Sequence, residues 1–202
     1  MGIAERRQRQ KEEVRTSILD AAWQLVAAEG WQALSIRKIA DAIEYSVPVI
    51  YDHFENKEAI FLEFTKRGFQ LLNEDLIKAT NEFKKPEQQI EAIAYAYWNF
   101  AFNNKEYYQL MYGLGMPGCE TVKQISELKH FTQLVMEPIS KLIEKSGSKK
   151  TEDYLKLHTF WSMLHGLISI NINMISKENG HDELNNLVLK DFIKGFISGI
   201  KE

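Results

Sequence analysis

The sequence predicts an all-α fold. Only four prolines occur in 202 residues, no stretch alternates polar and apolar with period two for long, and apolar residues recur at helical spacing from end to end. With 45% hydrophobic residues the chain can fill a sizeable core, as one large domain or as a small domain joined to a medium one.

The elements follow in order. Ile18, Ala21, Ala22, Leu25 and Val26 set a first helix, closed at Glu29-Gly30, where glycine suits the left-handed residue beyond a helix end. Before it, Arg6, Arg7, Arg9, Lys11 and Arg15 stand against Glu5, Glu12 and Glu13, a mild basic excess that reads either as a solvated helix start or as a basic arm. Ser35 caps a short second helix carrying Ile36, Ile39, Ala40 and Ile43. Ser46 caps a third, with Pro48 in its first turn, where a missing N–H costs nothing and the fixed φ is already helical. Asn56 caps a fourth that runs through Ile60, Phe61, Phe64, Phe69, Leu72, Leu76 and Ile77 and stops before Pro86. Beyond Pro86 the helices lengthen. Glu87 to Phe102 form one, Lys105 to Tyr112 a short next one, and Glu120 to about Lys145 a long one that Pro138 should bend or interrupt. Two more, about Thr151 to Ser176 and Asp182 to Ile200, make about nine helices in all.

Bulk properties narrow the class. A net charge of −3 argues against a generally basic protein, but nucleic-acid binding depends on where the positive groups sit. Cys119 is the only cysteine, so it makes neither an internal disulfide nor, alone, a thiolate metal site, and a reducing cytoplasm is the expected compartment. The N-terminus lacks the apolar run of an export signal. The stretch from Phe160 to Ile175 is interrupted by His165, Asn171 and Asn173 and is shorter than the roughly 20 residues that span a bilayer, so protein rather than lipid should bury it.

Two short helices joined by a tight turn, braced by a longer one, form a helix-turn-helix. The second of the pair must lie in a DNA major groove about 12 Å wide and offer its first turn to the bases. Val49, Ile50 and Phe54 are expected to seat it inward, with Val47, Tyr51, Asp52 and His53 outward and its N-terminal amides facing a phosphate. The run LSIRKIADAIEYSVPVIYDHFENKEAIF resembles the N-terminal domain of the TetR/AcrR transcriptional regulators. Ser35, Arg37, Ile39, Ala40, Ser46, Tyr51, His53, Phe54 and Lys57 stand in register with that family's pattern, over about the first 65 residues. The resemblance implies phosphate contacts from Tyr51, His53 and Lys57, and base-facing or sugar-facing positions at Arg37, Tyr45, Val47 and Val49. Ser35 and Ser46, at the two helix starts, belong to the same DNA-binding set.

Two positions depart from the pattern. Glu44 stands where the family usually has glycine, so the turn is made without the residue most tolerant of positive φ. Pro48 replaces another common glycine and offers a small apolar surface to a thymine methyl or a sugar. Residues 1–60 hold eight Lys or Arg against ten Asp or Glu, which predicts modest DNA affinity and a shallow salt dependence, with the carboxylates facing away.

After residue 65, WSMLHG (Trp161 to Gly166) resembles the Trp-x-x-x-His-Gly signature of one TetR-type C-terminal domain class. His165 reads either as a core histidine with a satisfied hydrogen bond or as a polar group lining a ligand pocket. Trp98, Phe102, Tyr107, Tyr108, Met111, Tyr112 and Met116, with Phe131, Met136, Phe160, Trp161 and His165, exceed what a small bundle needs and sketch a cavity for a hydrophobic or flat aromatic ligand. The last two helices are apolar on more than one face and imply a homodimer around a two-fold axis, with Leu164, Ile168, Phe192 and Phe196 among the dimerisation residues.

Two motif matches carry no chemistry. GLGMPG fits a dinucleotide-binding pattern but follows a helix rather than a strand. Glu178 to His181 fits Glu-x-x-His, but Asn179 and Gly180 put it in a turn and no second copy exists. No catalytic residues, metal ligands or cofactor are expected, and no nucleophile, base and orienter set suggests an enzyme. The reading is a ligand-responsive regulator, a repressor released by its ligand, that binds double-stranded DNA at a palindromic operator. Residues 1–58 would form the DNA-binding domain and 59–202 the ligand-binding and dimerisation domain, with a fourth helix over about 57–83 linking the two. The rival is a helical small-molecule-binding protein or bundle enzyme that merely keeps a helix-turn-helix shape.

Overall fold

The computed structural model describes residues 2–112, 125–147, 152–172 and 183–201. These form helices α1 (Ile3–Glu29), α2 (Ile36–Ala42), α3 (Val47–Tyr51), α4 (Lys57–Asn81), α5 (Pro86–Asn103), α6 (Lys105–Tyr112), α7 (Ser126–Ser146), α8 (Asp153–Asn171) and α9 (Glu183–Lys201), with a 3₁₀ turn at Trp31–Ala33. Among the described residues there is no strand. The charged N-terminal stretch is helical, and α1 begins at Ile3, so that stretch is a solvated helix start.

Caps form where small polar side chains allow them, with one exception. Ser35 Oγ accepts from Lys38 N at 3.2 Å, and Asn56 Oδ1 from Ala59 N at 2.8 Å. Ser46 sits at the N-cap of α3, but its hydroxyl makes no cap bond. The reason is local: Pro48 has no N–H, and the Val49 N–H is taken at 3.0 Å by the carbonyl of Ser46. Of the first three residues of α3, Pro48 has no N–H and that of Val49 is taken, which leaves the Val47 N–H to face a phosphate. Helix α7 is not interrupted at Pro138: it runs on through that residue, whose ring is buried.

The helices close two apolar clusters. The first gathers Ile18, Ala22, Val26, Leu34, Ile39, Ile50 and Phe54 with Ile60, Phe61 and Phe64. The second gathers Phe69, Leu72 and Leu76 with the inner faces of α5 and α7–α9. Burying each such side chain contributes roughly 1.5–3 kcal/mol. Helix α4 passes from the first cluster to the second between Phe64 and Phe69, and α6 touches both.

Candidate nucleic-acid interface and ligand core

The turn before α3 is built like a helix ending with glycine, but with Glu44 in glycine's place. Glu44 has φ +58. Its N–H bonds to the Asp41 carbonyl at 3.3 Å, and the Tyr45 N–H reaches back to the Ala40 carbonyl at 3.0 Å. These two bonds define a Schellman ending, whose penultimate residue must be left-handed. The turn geometry therefore survives the substitution, with Glu44 carrying the strain.

On α3, Ile50 is wholly buried and Phe54 nearly so, as expected. The two valines exchange places with the expected arrangement. Val47 packs on the core while half-buried Val49 does not, because Val47, Ile50 and Phe54 fall at i, i+3 and i+7. Tyr45 and Tyr51 keep 46% and 52% of their surface exposed, and Arg37, Ser46 and Pro48 are exposed beside them. Ser35 is half-buried, its hydroxyl engaged in capping α2.

Two expected phosphate contacts are held less openly. The Lys57 ammonium lies 4.9 Å above the Phe61 ring one turn further along α4. His53 is half-buried, its Nδ1 sequestered without a partner. It lines a groove of about 360 Å³ between α1 and the end of α3, with Lys11, Arg15, Asp52 and Glu55. Arg15 lies 4.4 Å over the Phe54 ring and pairs with Glu63 at 2.9 Å, so it braces α3 against α1 and α4.

The aromatic residues of the second cluster split into groups. Tyr108, Tyr112, Trp161 and His165 come together around Tyr97, a residue that sequence reasoning misses. The signal for it is its spacing: Tyr97 lies four and three residues beyond the apolar pair Ile93 and Ala94 on the inner face of α5. Trp161 Nε1 donates to Tyr97 Oη at 3.2 Å, Tyr97 and Tyr108 hydroxyls are 3.4 Å apart, and Tyr108 Oη lies 2.6 Å from His165 Nδ1. His165 thus has its hydrogen bond, and its half-burial pushes its pKa below the usual imidazole value. Burial pushes the Tyr97, Tyr108 and Tyr112 hydroxyls well above the ordinary phenol range, so all three stay protonated.

Phe131 packs on Tyr97 and Phe69, at 5.9 and 6.0 Å between ring centroids. Trp98 and Phe102 form a separate pair at 4.6 Å. Met111 lies against Gly68 of α4, where a Cβ would stand 2.5 Å from its Sδ, so glycine admits the close approach of α6. Met116, the GLGMPG motif, Cys119 and Glu178 to His181 lie outside the described residues.

Tyr107 does not join the pocket group. It stacks on Trp23 of α1 at 4.3 Å, and next to it Trp31 Nε1 donates to the Glu106 carbonyl at 2.7 Å. Leu110 belongs to the first cluster and Tyr108 and Met111 to the second. Helix α6 is therefore apolar on two faces and wedged between the two cores.

The expected dimerisation residues are placed differently from the sequence reading. Leu164, Ile168 and Phe196 are consumed by the protomer's own core, and Phe192 is half-buried against Phe160 and Phe196. The exposed apolar positions are their helical neighbours: Leu155, Met163 (52%) and Ile170 (64%) on α8, Leu187 (57%) and Val188 on α9. Among the described residues, no three or more His, Cys, Asp or Glu side chains gather as a metal site, and no helix is long and apolar enough to cross a membrane.

Comparison with known proteins matches these features to two family descriptions. Residues 18–64 match "Bacterial regulatory proteins, tetR family", and residues 90–176, which include the Trp161–Gly166 motif, match "Tetracyclin repressor-like, C-terminal domain". The uncharacterized HTH-type regulator YobS of Bacillus subtilis is 28% identical over 92 residues, 46% of this chain and 48% of that protein, so the chain spans about half the length of this relative. The transcriptional activator FasR of Mycolicibacterium smegmatis is 23% identical over 81% of this chain and 71% of its own. The biofilm operon negative regulator IcaR of Staphylococcus aureus is 25% identical over 71% of this chain and 77% of its own. The crystal structure of FadR from Bacillus subtilis in complex with stearoyl-CoA shares the fold, with TM-score 0.70, 17% identity, and coverage of 89% of this chain and 98% of that one. With a helix-turn-helix of this build at its start and a matching C-terminal helical domain behind it, the chain belongs to the TetR/AcrR family of transcriptional regulators.

Proposed function

We propose that this regulator is a cytoplasmic repressor that binds a palindromic operator as a homodimer and leaves it when a small apolar or aromatic molecule enters the C-terminal core. The carrying observation is the position of α6, packed on the aromatic core through Tyr108 and Met111 and on the reading head through Tyr107, Leu110 and the Trp31–Glu106 bond. A ligand that displaces Tyr108 or Tyr112 moves the same short helix that braces α1. Residues 1–58 act as the reading head and 59–202 as the receiving and dimerising part.

Arg37, Tyr45, Ser46, Pro48, Val49 and Tyr51 make the operator contacts on this reading. Lys57 and His53 reach phosphate only after leaving their present partners or burial. Support for a two-fold partner comes from the exposed face of α8 and α9. There a Cβ added at Gly166 or Gly195 would meet nothing within 4 Å, so a second copy of these helices can approach closely. Half-sites then fall about one helical turn, roughly 34–36 Å, apart. An apolar effector is supported by the aromatic core and by the stearoyl-CoA bound in the FadR structure. The negative role of IcaR supports repression, while FasR, an activator, supports the opposite sign.

The test is a gel shift against DNA flanking the chain's own gene at two salt concentrations, repeated with candidate ligands. Sequence-specific retention that weakens with ligand is expected, and by linkage operator DNA must weaken ligand binding by the same factor. A reporter assay with the gene deleted sets the sign: expression should rise. Ligand binding that leaves operator affinity unchanged would sink the induction part.

A further inference from the structure

Trp161 is a donor only, and it heads a connected relay of hydrogen bonds. Its Nε1–H donates to Tyr97 Oη at 3.2 Å, and the Tyr97 and Tyr108 hydroxyls share a hydrogen bond at 3.4 Å. Tyr108 Oη lies 2.6 Å from His165 Nδ1, and His165 Nε2 faces Ser169 Oγ at 3.4 Å. Every polar side-chain atom along this relay therefore has a partner.

Tyr112 stands among the same rings, with centroids 5.0 Å from Tyr108, 5.1 Å from His165 and 5.9 Å from Trp161. Its Oη is buried with no hydrogen-bond partner. Folded proteins rarely leave such a group unmet, and an O–H without an acceptor is the costlier half of the omission. A phenol is also a better donor than acceptor. The hydroxyl keeps its proton because burial pushes its pKa up by more than the neighbouring Tyr97 hydroxyl and Trp161 N–H lower it, and no cation adds to their effect. Among the described residues the cation–π contacts fall on Phe54, Phe61 and Phe196, away from this group. The surroundings therefore suit an uncharged acceptor and disfavour an anion.

Resting on the ligand-responsive reading above, we propose that the effector is an uncharged apolar or aromatic molecule bearing a hydrogen-bond acceptor such as a ketone or ester carbonyl, and that Tyr112 Oη donates to it. The relay from Trp161 to Ser169 is the fixed wall of the site, and Tyr112 is the uncommitted donor among its rings; Trp98 Nε1, likewise unpartnered, belongs to the separate pair with Phe102. An apolar molecule without the acceptor would enter the rings but leave that hydroxyl unmet.

The test uses the full chain and three fragments of one shape: acetophenone, ethylbenzene and benzoate, titrated by NMR. Acetophenone is expected to bind at least about tenfold tighter than the other two, with the preference falling to within about twofold in Tyr112→Phe. Without ligand, Tyr112→Phe should unfold at the same temperature as the parent or higher, because it deletes an orphan hydroxyl. Tyr108→Phe, which cuts the relay, should unfold lower. The proposal is overturned if benzoate or ethylbenzene binds as well as acetophenone, if no fragment binds, if the preference survives in Tyr112→Phe, or if that variant loses stability. Operator binding measured in parallel separates the two levels. Retained DNA binding with any of those results removes only the acceptor assignment, whereas absent DNA binding removes the reading beneath it.

Discussion

Replacing Glu44 by glycine should stabilise the protein, although it deletes a side chain from the reading head. Glu44 sits at φ +58 with both Schellman hydrogen bonds formed, and its side chain is exposed. A left-handed backbone costs an L-residue roughly 1–2 kcal/mol, of which glycine gives back about 0.5–1 kcal/mol through its freer unfolded state. The net gain is about 0.5–1 kcal/mol, or about 1–4 °C in the unfolding midpoint for a chain of this size. Thermal unfolding by circular dichroism, at one fixed protein concentration because a dimer's midpoint depends on it, reads the shift. Glu44→Gln is the control, since it removes the charge and keeps the strain, and Glu44→Val should fall below the parent because a β-branched residue tolerates positive φ worst. A glycine variant no more stable than the glutamine one would refute the backbone argument and leave charge as the cause. The glycine and glutamine variants should bind operator DNA more tightly than the parent, since each removes a carboxylate beside the recognition helix.

Other perturbations reach other parts of the molecule. Tyr51→Ala should weaken operator binding by tenfold or more in fluorescence anisotropy while shifting stability by less than about 0.5 kcal/mol, because half of the ring is exposed; an unfolded variant would show the ring to be core. Glu87 Oε1 pairs with Lys145 and Lys201 at 3.0 and 3.1 Å, and its own backbone N–H at the start of α5, then Lys145, holds its pKa down at about 2 from 4.5. A depressed carboxylate stabilises above its unfolded pKa and loses that contribution as pH falls through the folded one. Glu87→Gln should therefore cost about 1–2 kcal/mol at neutral pH, less than the full shift because the lysines are half-exposed, and flatten the loss of stability between about pH 5 and 2. Leu187→Glu on the exposed face of α9 should yield monomers in analytical ultracentrifugation, and a dimer of unchanged stability would move the interface elsewhere. Trp31→Phe keeps the rings near Phe61 and Phe64 but loses the bond to the Glu106 carbonyl. It should reduce ligand-induced DNA release severalfold with little change in either separate affinity.

The sequence is most legible where one residue type answers one local need. Asn56 caps α4, α4 ends before Pro86, and Ile50 and Phe54 seat α3, all as spacing and side-chain chemistry predict. It is least legible where two partners compete for one group or one helix. The Ser46 hydroxyl loses its amide to its own carbonyl because Pro48 removes the alternative. On α8 and α9 periodicity finds apolar residues on two faces but does not say which face the protomer fills itself. The pattern therefore points Leu164, Ile168 and Phe196 at a partner and overlooks the exposed Met163, Ile170 and Leu187. Tyr107 reads as one group with its neighbour Tyr108 for the same reason. Adjacent residues on a helix point about 100° apart, and here that angle stacks Tyr107 on Trp23 at the seam of the two clusters while Tyr108 enters the second.

That angle bears on how a ligand could act at a distance. Among the described residues only α4 and α6 contribute buried side chains to both clusters, and they touch where Gly68 admits Met111. A displacement of Tyr108 or Tyr112 cannot be absorbed inside α6, because eight residues of hydrogen-bonded helix move as one body and its outer face is already engaged by Trp23 and Trp31. Close-packed interiors shift between discrete arrangements rather than deform smoothly. The strain must pass to α1 through the stacked rings or to α4 through Met111. On the ligand-responsive homodimer proposed above, either route would reach the reading head and change how two α3 helices meet the groove, because α4 begins at Lys57, shortly after α3 ends at Tyr51.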